Sequence, residues 1–156
     1  MKTAVISEKK NSFSSHPRSQ ARECVFQGLY AFEISKESGA KPFNNIIKRF
    51  SLDKETKVFA CALYKKTLEE SEKLRLLIEE FLENWELKRI ALLDKLILEI
   101  AVCELLFFDD VPPKVSISEA IEIAKQYSTE ESPAFINGVL DNIYKSISNK
   151  VKTSTA

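Results

Sequence analysis

DDVPPKVSISEAIEIAKQYSTEESPAFINGVLDNI, residues 109–143, is the stretch whose reading decides the fold. Residues 93–108 before it, LDKLILEIAVCELLFF, are almost entirely apolar and suit a central core helix. Asp109, Asp110, Pro112 and Pro113 then stop that helix, because proline lacks the amide hydrogen and pushes its predecessor out of the α region. Ser116 and Glu119 form an S-x-x-E capping box expected to open the next helix. That helix places Ile117, Ala120, Ile121, Ala124 and Tyr127 three and four residues apart. A second break falls at 128–132, where Ser132 can cap a helix with Pro133 at its first position. The last helix carries Ile136, Val139, Leu140, Ile143 and Ile147 on one face.

Working outward, the segment 1–16 is polar and serine-rich, and a basic arm over 1–17 is expected to be mobile. Through Arg22 there are five cations (Lys2, Lys9, Lys10, Arg18, Arg22) against Glu8, a local positive excess in a chain whose formal net charge is zero. A helix is expected over 19–35, with Ala21, Val25, Leu29 and Phe32 on one face. Gly28 inside it costs about 1 kcal/mol against alanine, so its purpose is read as a close helix approach. Gly39 and Pro42 punctuate the end. Phe43, Ile46, Ile47 and Phe50 mark a short second helix. Ser51 or Asp53 can cap a long third one reaching about residue 83, with a weak middle over 65–73 that permits a division. Trp85 and Leu87 lead into a fourth helix over 90–107, with Leu93, Leu96, Ile97, Ile100, Ala101 and Leu105 at its centre. The last residues, 150–156, read as a tail. No segment alternates with period two, so no sheet is expected. The fold class is all-α, a compact helical bundle of about six to seven helices.

Composition bounds the function. The 156 residues suit one domain, 18–149, and 44% apolar with 29% charged residues fits a globular class. A neutral chain has no global basic field announcing nucleic acid. No apolar run spans a bilayer and no signal peptide is visible, so a cytoplasmic protein without membrane association is expected. Cys24, Cys61 and Cys103 have no zinc spacing and read as reduced core thiols. Enzyme chemistry is not expected. The single histidine, His16, lies at the arm, and no nucleophile elbow, P-loop or dinucleotide loop is present. Asp109 and Asp110 read as turn residues rather than metal ligands, and no cofactor or metal is expected.

The run D-V-P-x-K-V-x-I-x-E-A-I-E-x-A-K over 110–125, S-x-x-F-I-N-G-V-L-D over 132–141, and A-R-E-C-x-x-Q-x-L-Y over 21–30 closely resemble the family of the transcription antitermination factor NusB. The resemblance covers about 18–147. It implies two small helical subdomains, and a protein that binds single-stranded boxA-like RNA together with a small-subunit ribosomal protein, NusE. The pair then joins RNA polymerase antitermination complexes in ribosomal RNA transcription. Two other readings stand beside it: an RNA-targeting domain like those of ribosomal RNA cytosine methyltransferases, and a helical protein–protein scaffold. Monomer and homodimer are both open.

RNA contacts are expected from Arg18 and Arg22, one turn apart at the start of the first helix, where the helix dipole adds positive charge. Only these two match the family's arginine-rich run; Ser19 and Gln20 stand where arginines often occur, and Lys9, Lys10 and His16 could compensate. Tyr30 follows on the same stripe as a stacking candidate, although the residues alone favour half-buried core for Tyr30 and Phe26. The resemblance implies a stacking role for Phe135. Asn137 can bond to backbone, and Gly138 is read as allowing close helix contact. Glu131, just before the last helix, would oppose phosphate and hold affinity down. Asp94, Glu99 and Glu104 on the fourth helix are expected to meet the basic NusE-like partner.

Overall fold

The computed structural model describes residues 16–36, 40–82 and 89–155. Among these residues there are seven helices and no strand. They divide into two compact units, Met1–Glu69 and Glu70–Ala156. The basic arm over 1–15, Gly39, Trp85 and Leu87 lie outside the described residues.

In the first unit, α1 spans Pro17–Ser35, α2 Ala40–Ile47 and α3 Lys54–Glu69. Helix α1 opens on Pro17, whose fixed φ suits the first turn and whose missing donor would have had no partner there. It closes on Lys36, which adopts the left-handed conformation (φ 57°) and donates its amide hydrogen to the Phe32 carbonyl at 2.9 Å. Helix α1 packs against both α2 and α3. Gly28 is what lets it approach: a Cβ there would lie 2.7 Å from Phe43 Cδ1 and 3.1 Å from Tyr64 Cε1. The Phe43 and Tyr64 rings stack with centroids 4.1 Å apart. Helix α3 is capped by Asp53, whose carboxylate accepts the Thr56 amide at 2.8 Å. Phe50 falls in the bend after α2 rather than within it.

The long third helix divides at Glu70, inside the weak stretch 65–73. There the chain enters the second unit: α4 Ser71–Glu80, α5 Leu92–Phe107, α6 Pro113–Tyr127 and α7 Ser132–Thr155. Helix α5 is its axis and packs against α4, α6 and α7. Leu96, Ile97, Ile100 and Ala101 are buried, as are Leu98, Val102 and Cys103, whereas Leu93 and Leu105 are half-buried. The reason is that α5 has neighbours on several sides, so its burial outruns one helical stripe. Helix α7 buries Ile136, Val139, Leu140 and Ile143 and continues to Thr155, into the stretch read as a tail.

Several local expectations are corrected. Helix α6 starts at Pro113, three residues before the capping box, because Pro113 sits well in a first turn and Pro112 presents its carbonyl to the Val115 and Ser116 amides. The Ser116 hydroxyl instead donates to Glu104 Oε1 at 3.1 Å. Ile121 and Tyr127 are half-buried, and Ile123 takes the core place. Ser132 is the first residue of α7 rather than its cap, and its hydroxyl is engaged by Asp94. Gly138 has open space where a Cβ would go, so it serves no close contact among the described residues. Cys24 and Cys103 are core thiols, but Cys61 is exposed on the outer face of α3.

Candidate nucleic-acid interface

In the first unit two arginines stand near the start of α1. Arg18 and Arg22, four residues apart, rise on one side of the helix toward α3. The Arg18 guanidinium carbon lies 4.2 Å from the centroid of the Phe59 ring, and that of Arg22 lies 5.2 Å from it. Phe59 is anchored in the buried stripe of α3 with Ala60 and Leu63. The two arginines differ in exposure. Arg18 is partly exposed, whereas Arg22 is only 2% exposed, so in this conformation Arg22 offers no open face to a phosphate. The first turn of α1 contains no acidic residue to offset its positive end. Tyr30 is half-buried and Phe26 fully buried, so of the two only Tyr30 keeps part of a ring at the surface.

The second unit holds an open cleft of about 360 Å³ at the start of α5 and the α6–α7 turn. Phe135 and Glu131, both singled out in the sequence, line it together, with Arg89, Asp94, Thr129 and Ser132. Asp94 builds the wall. Its two carboxylate oxygens accept the Ser128 hydroxyl at 2.6 Å and the Ser132 hydroxyl at 2.9 Å. The Thr129 hydroxyl lies 2.9 Å from that of Ser132. Because Ser132 gives its only hydroxyl proton to Asp94, Thr129 is the donor in that contact. This hydroxyl cluster sets where α7 begins, and hence where the half-buried Phe135 ring stands one turn on. Asn137 is exposed beyond it.

The three carboxylates expected to meet a partner are corrected. Asp94, Glu99 and Glu104 are 7%, 2% and 1% exposed. Glu99 accepts the Ser71 hydroxyl at 3.0 Å and pairs with Arg75 at 3.3 Å, both on α4. Glu104 accepts Ser116 on α6, and Asp94 holds Ser128 and Ser132. Residues five apart on a helix are turned by about 140° from one another. Each acid therefore faces a different neighbour, and none is presented outward. A carboxylate in an apolar interior is costly unless it is hydrogen-bonded, and these three are.

Among the described residues, no group of three His, Cys, Asp or Glu side chains is placed to hold a metal ion, and no helix is long and apolar enough to cross a membrane.

A sequence model described as the NusB family matches residues 19–145. The chain belongs to the NusB family. It is 42% identical over 134 residues to the transcription antitermination protein NusB of Chloroherpeton thalassium, a match covering 85% of this chain but 64% of that relative's length. The solved NusB of T. maritima superimposes with a TM-score of 0.79 at 38% identity, covering 85% of this chain and 93% of that one. A second structure is described as antitermination factors NusB and NusE in complex with dsRNA. It matches with a TM-score of 0.77 at 25% identity, over 85% of this chain and 99% of that one.

Two features of these NusB-family surfaces were out of reach of the sequence. Phe59 reads there as one more core aromatic, since nothing in a linear pattern says that two arginines of another helix lie on its ring. The Asp94 cluster had a signal, an acid on a largely apolar helix, but its hydroxyl partners lie 34 and 38 residues away.

Proposed function

We propose that this NusB-family chain is an RNA-binding transcription antitermination factor. It works in the cytoplasm beside a NusE-like small-subunit ribosomal protein and joins RNA polymerase antitermination complexes. It is an adaptor, not an enzyme. The observation that carries this reading is the likeness, along most of both chains, to a NusB solved with NusE and dsRNA. The chemistry of the two surfaces supports it. Arg18 offers a guanidinium at the positive end of α1, suited to a phosphate. Phe135 and Tyr30 offer partly exposed rings for base stacking, and Glu131 beside Phe135 tempers affinity by opposing phosphate. We assign the RNA to be single-stranded and boxA-like.

The test is a fluorescence anisotropy titration of a labelled boxA-like RNA, single-stranded and as a duplex, with this chain alone and with the NusE-like protein present. Binding of the single strand that tightens when the partner is added is expected. No binding at micromolar concentration, with or without the partner, would sink the reading. Replacing Phe135 by Ala should weaken binding by about 1–3 kcal/mol with the salt dependence nearly unchanged, as loss of a stacked base does.

A further inference from the structure

We propose that Phe59 is a positioning residue for RNA phosphate: its ring holds the Arg18 guanidinium in the pose that receives the anion. This rests on the RNA-binding reading above and assigns a part to a side chain that would not itself touch RNA. Both guanidinium carbons, at 4.2 and 5.2 Å from the ring centroid, fall inside the roughly 6 Å reach of a cation–π contact. The ring is only 7% exposed and is fixed by the packing of α3, so it is a rigid platform rather than a mobile neighbour. Arg22, at 2% exposure, stays against the ring. Arg18 is the partly exposed member of the pair and lies in the first turn of α1, which is free of acidic residues.

A guanidinium held over a ring can do two tasks at once. Stacking uses the flat face of a guanidinium, whereas its five N–H donors lie in the plane and point to the edges. Ring and phosphate can therefore hold the same group together. An unheld arginine gives up rotamer freedom when it meets a phosphate, but one already held has given up that freedom on folding. The ring should thus raise affinity without adding charge. Lysine in place of Arg18 would keep the charge and lose the flat face.

The test is a double-mutant cycle on the full chain, read by RNA anisotropy at several salt concentrations with single-stranded boxA-like RNA. Phe59→Leu, which keeps most of the core volume, should weaken binding about 3- to 20-fold with the salt slope retained. Phe59→Tyr should restore it. Arg18→Ala should weaken binding and flatten the log–log slope by about 0.7. In the Arg18→Ala background Phe59→Leu should add no further loss, because the two act through one contact. Arg18→Lys leaves the core untouched and should behave like Phe59→Leu. In the RNA-free protein, the Arg18 Nε–Hε signal should shift when Phe59 becomes Leu and recover when it becomes Tyr. Equal losses from Phe59→Leu with and without Arg18, or wild-type binding by Arg18→Lys, would overturn the proposal. So would an Arg18 signal indifferent to Phe59. Wild-type protein that shows the Phe59-dependent arginine signal yet binds no RNA would instead overturn the RNA reading itself.

Discussion

Gly28 and Gly138 carry the same side chain, a hydrogen, for opposite reasons. A Cβ at Gly28 would meet the ring edge of Phe43 at 2.7 Å, and Phe43 is stacked on Tyr64 in the buried interior of the first unit. Alanine there gains about 1 kcal/mol of helix propensity, but overpacking costs roughly 1–3 kcal/mol. Gly28→Ala should therefore lower the urea midpoint, and a raised midpoint would mean that the ring pair yields easily. At Gly138 nothing lies within 4 Å, so alanine should stabilise by about 0.5–1 kcal/mol. The thiols divide in the same way. Cys24 is buried, and that burial, with Cys61 and Glu23 nearby, pushes its pKa up to about 12. A thiol reagent at pH 8 should find Cys61 quickly, while Cys24 and Cys103 react only on unfolding; three fast equivalents in native buffer would contradict the packing. Asp53 gives a pH signature. The Thr56 hydrogen bonds hold its carboxyl below the ordinary value of 3.8. A depressed folded pKa contributes stability above the unfolded pKa and loses it as pH falls through the folded one. Asp53→Ala should thus be less stable than wild type at neutral pH. As pH falls below the ordinary carboxyl value of 3.8 and through the depressed folded one, that gap should close, as followed by urea unfolding; a gap independent of pH would show that the cap is not electrostatic.

Among the elements, α5 shows what a helix with neighbours on several sides requires. Its apolar residues fill the second unit, and its three acids bind hydroxyls of α4, α6 and the α6–α7 turn. Asp94→Ala would leave Ser128 and Ser132 without their acceptor. It should cost about 1–3 kcal/mol and speed amide exchange across 128–135, while Asp94→Asn should cost less. Loss below about 0.5 kcal/mol would mean that water replaces the carboxylate without strain. These acids also mark how far a linear reading goes. Helix existence, the division after Glu69, the Asp53 cap and the role of Gly28 were all legible, because each depends on neighbours in sequence or on a residue type with one structural use. The directions of Asp94, Glu99 and Glu104 were not. A linear pattern says that an acid sits on an apolar helix but not which hydroxyl of another helix reaches it. The Ser116 box failed for a related reason: Pro113 opened the helix sooner, and Ser116 was claimed by Glu104.

At the scale of the whole molecule, the formal net charge is zero, so any attraction to RNA comes from local groups rather than a global field. In the described residues Arg18 is the cation that the RNA reading assigns to phosphate, while Arg22 is covered. Each phosphate neutralised on a single strand contributes about −0.7 to the slope of log affinity against log salt. One to three contacts therefore give a slope of roughly −0.7 to −2 for this chain alone. A slope of −4 or steeper would require more cations on the RNA, and Lys2, Lys9 and Lys10 would be the first to test by substitution. The proposed association with a NusE-like protein should respond to salt differently. The acids once expected to steer it, Asp94, Glu99 and Glu104, are turned inward, so they give a basic partner little long-range pull. The association rate, followed by stopped-flow fluorescence between low and physiological salt, should fall by less than about tenfold, well short of an electrostatically steered pair. A steeper fall would mean that other exposed carboxylates form the docking surface, and would send the search for the partner's footprint to the outer faces of the helices.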